Sequence, residues 1–151
     1  MKDHAAAIRH ALSRYEEAIS TRDLSILADL HWQDDRFVST WSPGRRDVGW
    51  AVHAQHIAAE FESVKDIRFR FPEISAEVFS GRFAVVSATW QSELEWDGGR
   101  KEPRGGVATL VFALMGTSWR IVADHFSSEP QGEGQRQSGP AESADQRVLG
   151  R

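Results

Sequence analysis

The side chains of this chain best suited to moving protons lie in residues 116–127, GTSWRIVADHFS, where Asp124 stands beside His125. An acid and an imidazole in contact would form a general acid/base dyad. The segment reads as a tight turn followed by a strand opened by Trp119, and side chains alternate between the two faces of a strand. Asp124 and His125 therefore point apart. The face carrying Trp119, Ile121, Ala123 and His125 is the more apolar, so His125 is expected to face an interior. Arg120, Val122, Asp124 and Phe126 are expected outside, Asp124 as a surface or dimer-face carboxylate. Tyr15, His31, His53 and His56 are the other candidates. His53 and His56 are three positions apart, a spacing that lets two imidazoles share an ion on a helix, but no third ligand is evident and no metal is assigned. With no cysteine in the chain, thiolate nucleophiles and cysteine zinc sites are excluded.

The elements that must position these groups follow from hydrophobic spacing. Over residues 5–20, Ile8, Ala11, Leu12, Tyr15 and Ile19 recur every three or four positions, which places Tyr15 on the buried stripe of a helix. Asp23 can cap a second, short helix whose inner side carries Leu24, Leu27 and His31. A short strand over 37–41 ends in the Ser42-Pro43-Gly44 turn. A third helix is expected to start near Asp47, capped by that carboxylate, with a stripe of Trp50, Ala54, Ile57, Phe61 and Val64. His53 lies at the edge of this stripe and His56 outside it. Strands are predicted over 67–71, 74–79, 83–96, 107–115 and 119–127, joined as an antiparallel meander. The run VATLVFALM at 107–115 is apolar on both faces. Helices can cover one side, and a second copy of the chain is the simplest cover for the other.

The 151 residues suit one domain, assigned to 1–129. Residues 130–151 are rich in Gly, Gln, Ser and charge and nearly empty of large apolar side chains, so they are expected to form a disordered tail. A net charge of -4 argues against nucleic-acid binding. No apolar run approaches a membrane span or the core of a signal peptide, so a soluble cytoplasmic protein is the default expectation. Six tryptophans stand against one tyrosine. Such rings fill wide cores or wall flat apolar ligands.

Three helices followed by a curved meander make an α+β cone, and here the chain resembles the superfamily of ketosteroid isomerase, nuclear transport factor two and SnoaL-like polyketide cyclases. The resemblance spans about residues 5–127. It is carried by Arg14-Tyr15 with Ala18, Asp23-Leu24, Leu30, Asp34-Asp35, Pro43-Gly44 and the terminal WRIVADHFS. It implies three N-terminal helices packed in the concave face of a curved, mostly antiparallel sheet, a cone or barrel with a central pocket. It also implies that Tyr15 matches the isomerases' hydrogen-bond donor to the developing enolate. Their general-base aspartate falls on Thr40 and their protonated acid on Leu110, so the steroid reaction is not expected.

The resemblance places His125, Tyr15, His31 and His53 around one pocket as the candidate catalytic set. Trp32, Trp41, Trp50, Trp90, Leu110 and Phe112 are the expected ligand-contacting residues. Two readings stay open. In one, a homodimer joined through its outer sheet face encloses a small apolar, polyketide-like or aromatic molecule and catalyses isomerisation, dehydration or cyclisation without cofactor or metal. In the other, the same fold is a non-catalytic ligand-binding or dimerisation module.

Overall fold

The computed structural model describes residues 3–42 and 44–129. The expected tail over 130–151, and Pro43 of the predicted turn, lie outside the described residues.

Helix α1 (His4–Thr21) starts where the Asp3 side chain accepts the Ala6 amide and stops at Arg22, whose left-handed backbone returns its N–H to the Ala18 and Ile19 carbonyls. Its three-and-four spacing buries Ile8, Ala11, Leu12, Tyr15 and Ala18. Asp23 caps α2 (Leu24–Leu30) by accepting from the Ser25 and Ile26 amides. The chain then leaves the helix at His31, which forms an isolated parallel bridge with Ile121 and so ties α2 to the last strand.

Strands β1 (Val38–Ser42) and β2 (Arg45–Val48) form an antiparallel hairpin in which Ser39 pairs with Asp47. This hairpin corrects the expectation for the third helix. Asp47 belongs to a strand, and α3 (Trp50–Ser63) begins at Gly49, whose φ of 96° is readily adopted only by glycine and which offers no side-chain cap.

The remaining strands are β3 (Val64–Arg70), β4 (Ile74–Phe79), β5 (Phe83–Trp96), β6 (Lys101–Met115) and β7 (Ser118–Ser128). They build one sheet in the order β2-β1-β7-β6-β5-β3, with β4 also on β5. Two departures from a simple meander matter. β3 and β4 both pair with β5, β4 along its first half and β3 along its second, so neither follows the other as a neighbour. β1 runs parallel to β7, which makes the sheet mixed. The sheet stays unclosed, a cone rather than a barrel, and the three helices pack against it. Alternation along β5 is clean: Ala84, Val86, Ala88, Trp90, Ser92 and Leu94 point inward. At Gly106 a Cβ would collide with the Ser127 carbonyl, so only glycine lets β6 and β7 approach there.

Strand β7 does not alternate from end to end. Phe112 pairs with Ile121 and Val111 with Ala123, leaving Val122 as an extra residue. This β-bulge shifts the phase by one, and a shift of one moves every following side chain to the opposite face. Trp119 and Ile121 point inward before it, Asp124 and Phe126 after it. The expected faces of Ala123, Asp124, His125 and Phe126 are therefore reversed, and His125 is exposed on the outside of the sheet beside Thr109.

Candidate active site

A cavity of about 50 Å³ lies between the helices and the inner face of the sheet. Ile57 and Phe61 of α3, Trp41 of β1, Phe69 of β3 and Trp90 of β5 give it apolar walls, and Tyr15 and His53 also line it. Charge is supplied by Arg45, Glu60 and Arg104. The last two form an ion pair at 3.4 Å, with Arg104 also held by Glu102 at 2.8 Å. A much larger open groove of about 870 Å³ is bordered by Arg68, Arg70, Glu73 and Gln91, but none of the buried histidines or acids reaches it. Tyr15 and the buried His53 border the smaller space instead.

His53 and Tyr15 meet His31 and Asp124 at one place. One donor atom from each of His31, His53 and Asp124 lies within 4.8 Å of the other two. The Tyr15 and His31 rings are 6.1 Å apart. Each member is oriented by its far side. His31 Nδ1 is 2.6 Å from the Leu27 carbonyl, which can only accept, so Nδ1 carries the proton and Nε2 keeps its lone pair. His53 Nδ1 likewise donates to Asp47 Oδ2 at 2.9 Å, while the other Asp47 oxygen accepts from His56 Nδ1 at 2.8 Å. The Ser39 hydroxyl donates to Asp124 Oδ1 at 2.5 Å. His31 Nε2 and Asp124 Oδ2 remain buried without a partner among the described residues.

Burial sets the charge state of the cluster. It pushes the Asp124 carboxyl up to about 7, against the Ser39 hydrogen bond and with help from the Asp47 charge. Burial lowers His31 to about 3, against the Leu27 hydrogen bond. It lowers His53 also, although Asp47 pulls the other way, so both imidazoles are neutral near pH 7. Tyr15 is raised by burial first and then by the Asp124 and Glu60 charges, which keeps its hydroxyl a donor. For Asp47 burial acts upward, but the His53 and His56 hydrogen bonds and the Arg45 charge outweigh it and hold the carboxylate ionised.

Of the residues singled out from sequence, the structure places Tyr15, His31 and His53 near one another and His125 on the outside of the sheet. Trp41 and Trp90 line the cavity. Trp50 instead stacks on His31 at 4.6 Å, and Leu110 and Phe112 are fully buried core residues. Trp32 is half-buried, with the Arg36 guanidinium over its ring at 4.8 Å. Sequence reasoning missed Ser39 and Asp47 and turned Asp124 the wrong way. A signal for Asp47 existed in RRDVG, a short polar strand before a glycine, once 37–41 is allowed a hairpin partner.

The arrangement is a half-enclosed apolar cavity lined by Tyr15 and His53, with His31 and Asp124 buried beside His53, inside a helix-covered cone. The fold, three helices packed on an unclosed mixed sheet, is that of the nuclear transport factor 2-like proteins. An NTF2-like superfamily protein from Salmonella enterica subsp. enterica serovar Typhimurium superposes with a TM-score of 0.75 at 19% identity, over 87% of this chain and 94% of that one. A proposed scytalone dehydratase from Novosphingobium aromaticivorans gives 0.77 at 12%, over 84% and 85%. A proposed dehydratase of the NTF2-like family from Streptomyces avermitilis gives 0.75 at 18%, over 83% and 97%. The model of the SnoaL-like domain matches residues 8–130, and the chain belongs to that family. No curated protein sequence matches it.

The opposed shifts of His31 and Asp124 predict an unusual pH dependence of stability. Between about 3 and 6.5 the unfolded state holds a proton at position 31 that the folded state lacks, so stability falls as pH drops through this window. Between about 4 and 7 the folded state holds a proton at Asp124 that the unfolded state lacks, so stability falls as pH rises. The two slopes cancel over about pH 4–6.5 in metal-free protein. Asp124→Asn removes one of them, so urea midpoints measured across this range should fall more steeply toward acid in the variant than in the parent. Equal slopes would show that Asp124 does not carry a raised pKa.

Proposed function

We propose that this chain binds a compact, largely apolar organic molecule and catalyses a cofactor-independent proton transfer on it, of the isomerase, dehydratase or cyclase type. The observation that carries the reading is the meeting of Tyr15, His31, His53 and Asp124 beside an aromatic-walled cavity. His53 is the base. Asp47 fixes its tautomer, and the Nε2 lone pair takes a proton from carbon or from a hydroxyl-bearing centre. Tyr15 and, below about pH 7, the protonated Asp124 are hydrogen-bond donors for the oxygen on which negative charge develops, and a donor in a dry site is worth far more than one in water. Asp124 thus stands in for the acid sought at Leu110, its register partner on the adjacent strand. Arg45, Glu60 and Arg104 border the same space.

The cavity size narrows the ligand. At about 30 Å³ per water in the liquid, 50 Å³ holds about two waters. A single ring or a short chain fits after modest side-chain movement, whereas a fused polycycle does not. The small volume is also what favours the non-catalytic reading, in which the cluster orders the core and turns nothing over.

These readings separate by experiment. With β-hydroxy carbonyl and unsaturated carbonyl compounds of one ring or less, incubation in D2O followed by mass spectrometry should show deuterium uptake or loss of water. His53→Gln should reduce the rate by about 10²–10⁴ and Tyr15→Phe should lower it also, each with quenching of Trp41 and Trp90 fluorescence by ligand retained. Ligand quenching with no exchange in the parent would leave a binding module; neither signal would overturn both readings.

The outer sheet face is proposed to join a second copy of the chain. Phe79, Phe83 and Val107 are each more than half exposed there and Val85 is 39% exposed, an apolar patch on strands β4, β5 and β6. Light scattering on the eluted protein should give twice the chain mass, and Phe83→Glu should give the single mass. A parent protein of single mass would refute this assembly.

A further inference from the structure

We propose that His31, His53 and Asp124 form a binding site for one divalent transition-metal ion of the zinc class. The inference goes beyond the proton-transfer reading and does not depend on it.

Four observations support the site. The donor types are right: two neutral imidazoles and a carboxyl are the donor types of three-ligand zinc sites that keep a position open. The donors are unspent. His31 is wholly buried and Asp124 is 6% exposed, yet each keeps one polar atom with no partner among the described residues, a costly arrangement in a core unless something occupies the gap. His31 reserves Nε2 for this purpose because Nδ1 is committed to Leu27.

The outer partners are in place for all three ligands. A metal-bound histidine usually gives its other ring N–H to a carboxylate or a backbone carbonyl, and here His53 gives it to Asp47 and His31 to the Leu27 carbonyl. The Ser39 hydroxyl holds the far oxygen of Asp124. Asp124 and Asp47 ionised contribute two negative charges against the two positive charges of the ion, and the half-exposed Arg45 adds one positive charge 3.8 Å from Asp47.

Closure is within reach of small side-chain movements. Donors bound tetrahedrally at about 2.1 Å stand about 3.4 Å apart. One donor atom of each residue is already within 4.8 Å of the other two, so a closure of at most about 0.8 Å by each brings the three to that spacing and leaves the fourth position open. The ion would occupy the lone pair that His53 otherwise offers to a substrate, so the metal-loaded and proton-moving forms are different states of one site.

The test uses the full chain stripped with EDTA, titrated with Zn2+ by calorimetry and with Co2+ by visible absorption. One ion per chain is expected, with the intense Co2+ bands of a four- or five-coordinate site. Asp47→Asn and Ser39→Ala, which loosen the outer partners, should weaken Zn2+ binding about 10–100-fold, and Asp124→Asn by more. His10→Ala and His125→Ala, at exposed positions, should leave it unchanged. Absence of a stoichiometric ion, a Co2+ spectrum like that of the free aqueous ion, or binding that survives Asp124→Asn and is lost with His10→Ala or His125→Ala would overturn the proposal. If Asp124→Asn does not fold, the Co2+ spectrum of the parent protein decides. Because stoichiometry and spectrum are read without substrate, a failed search for turnover leaves this result standing.

Discussion

One extra residue in the last strand determines what this cone can do. Val122 bulges out of the β6–β7 ladder, and every side chain after it changes face. Without it His125 would enter the interior and Asp124 would sit in solvent. With it a carboxyl is placed opposite Leu110, in the core, with a single hydroxyl as partner. The raised pKa of Asp124 follows from that placement, and the Asp124 charge adds to the upward push that burial gives Tyr15. A bulge is costly to a ladder, and its occurrence beside a polar cluster fits the habit of bulges to re-aim side chains next to functional sites.

The second constraint is the β1–β2 hairpin. It delivers Asp47 to the flank of α3, where both carboxylate oxygens are used, one by His53 and one by His56. His56 is otherwise a surface residue, 44% exposed, and serves as an outer prop for the acid that orients His53. The parallel pairing of β1 with β7 brings Ser39 level with Asp124. Two strands at one end of the sheet thus orient both His53 and Asp124, while α1 and α2 carry Tyr15 and His31 to the same point.

Much of this was legible in the sequence because it rests on local periodicity. The stripe through Tyr15, the Asp23 cap and the boundaries of β4 and β5 all follow from spacing and composition, and the order of helices before strands pointed to the cone. The inward position of His31 followed from the short helix that ends beside it. What could not be read depends on pairing between distant segments. A bulge at Val122 has no local signature in RIVADHF, since alternation is the default reading of any such strand. Asp47 was misread for a related reason: an aspartate just before a helical stripe looks like a cap until a partner strand is found for it. The tryptophans split along the same line, Trp41 and Trp90 walling the cavity while Trp50 stacks on His31.

The account therefore turns on whether Asp124 is buried and keeps its proton up to about pH 7. The direct measurement is a titration of its side-chain carboxyl carbon by NMR in chelator-treated protein. A midpoint near 7, with the resonance assigned through Asp124→Asn, is the predicted result. A midpoint near the ordinary carboxylate value of about 4 would mean that Asp124 faces water, that the bulge does not turn it inward, and that the cluster described above does not exist.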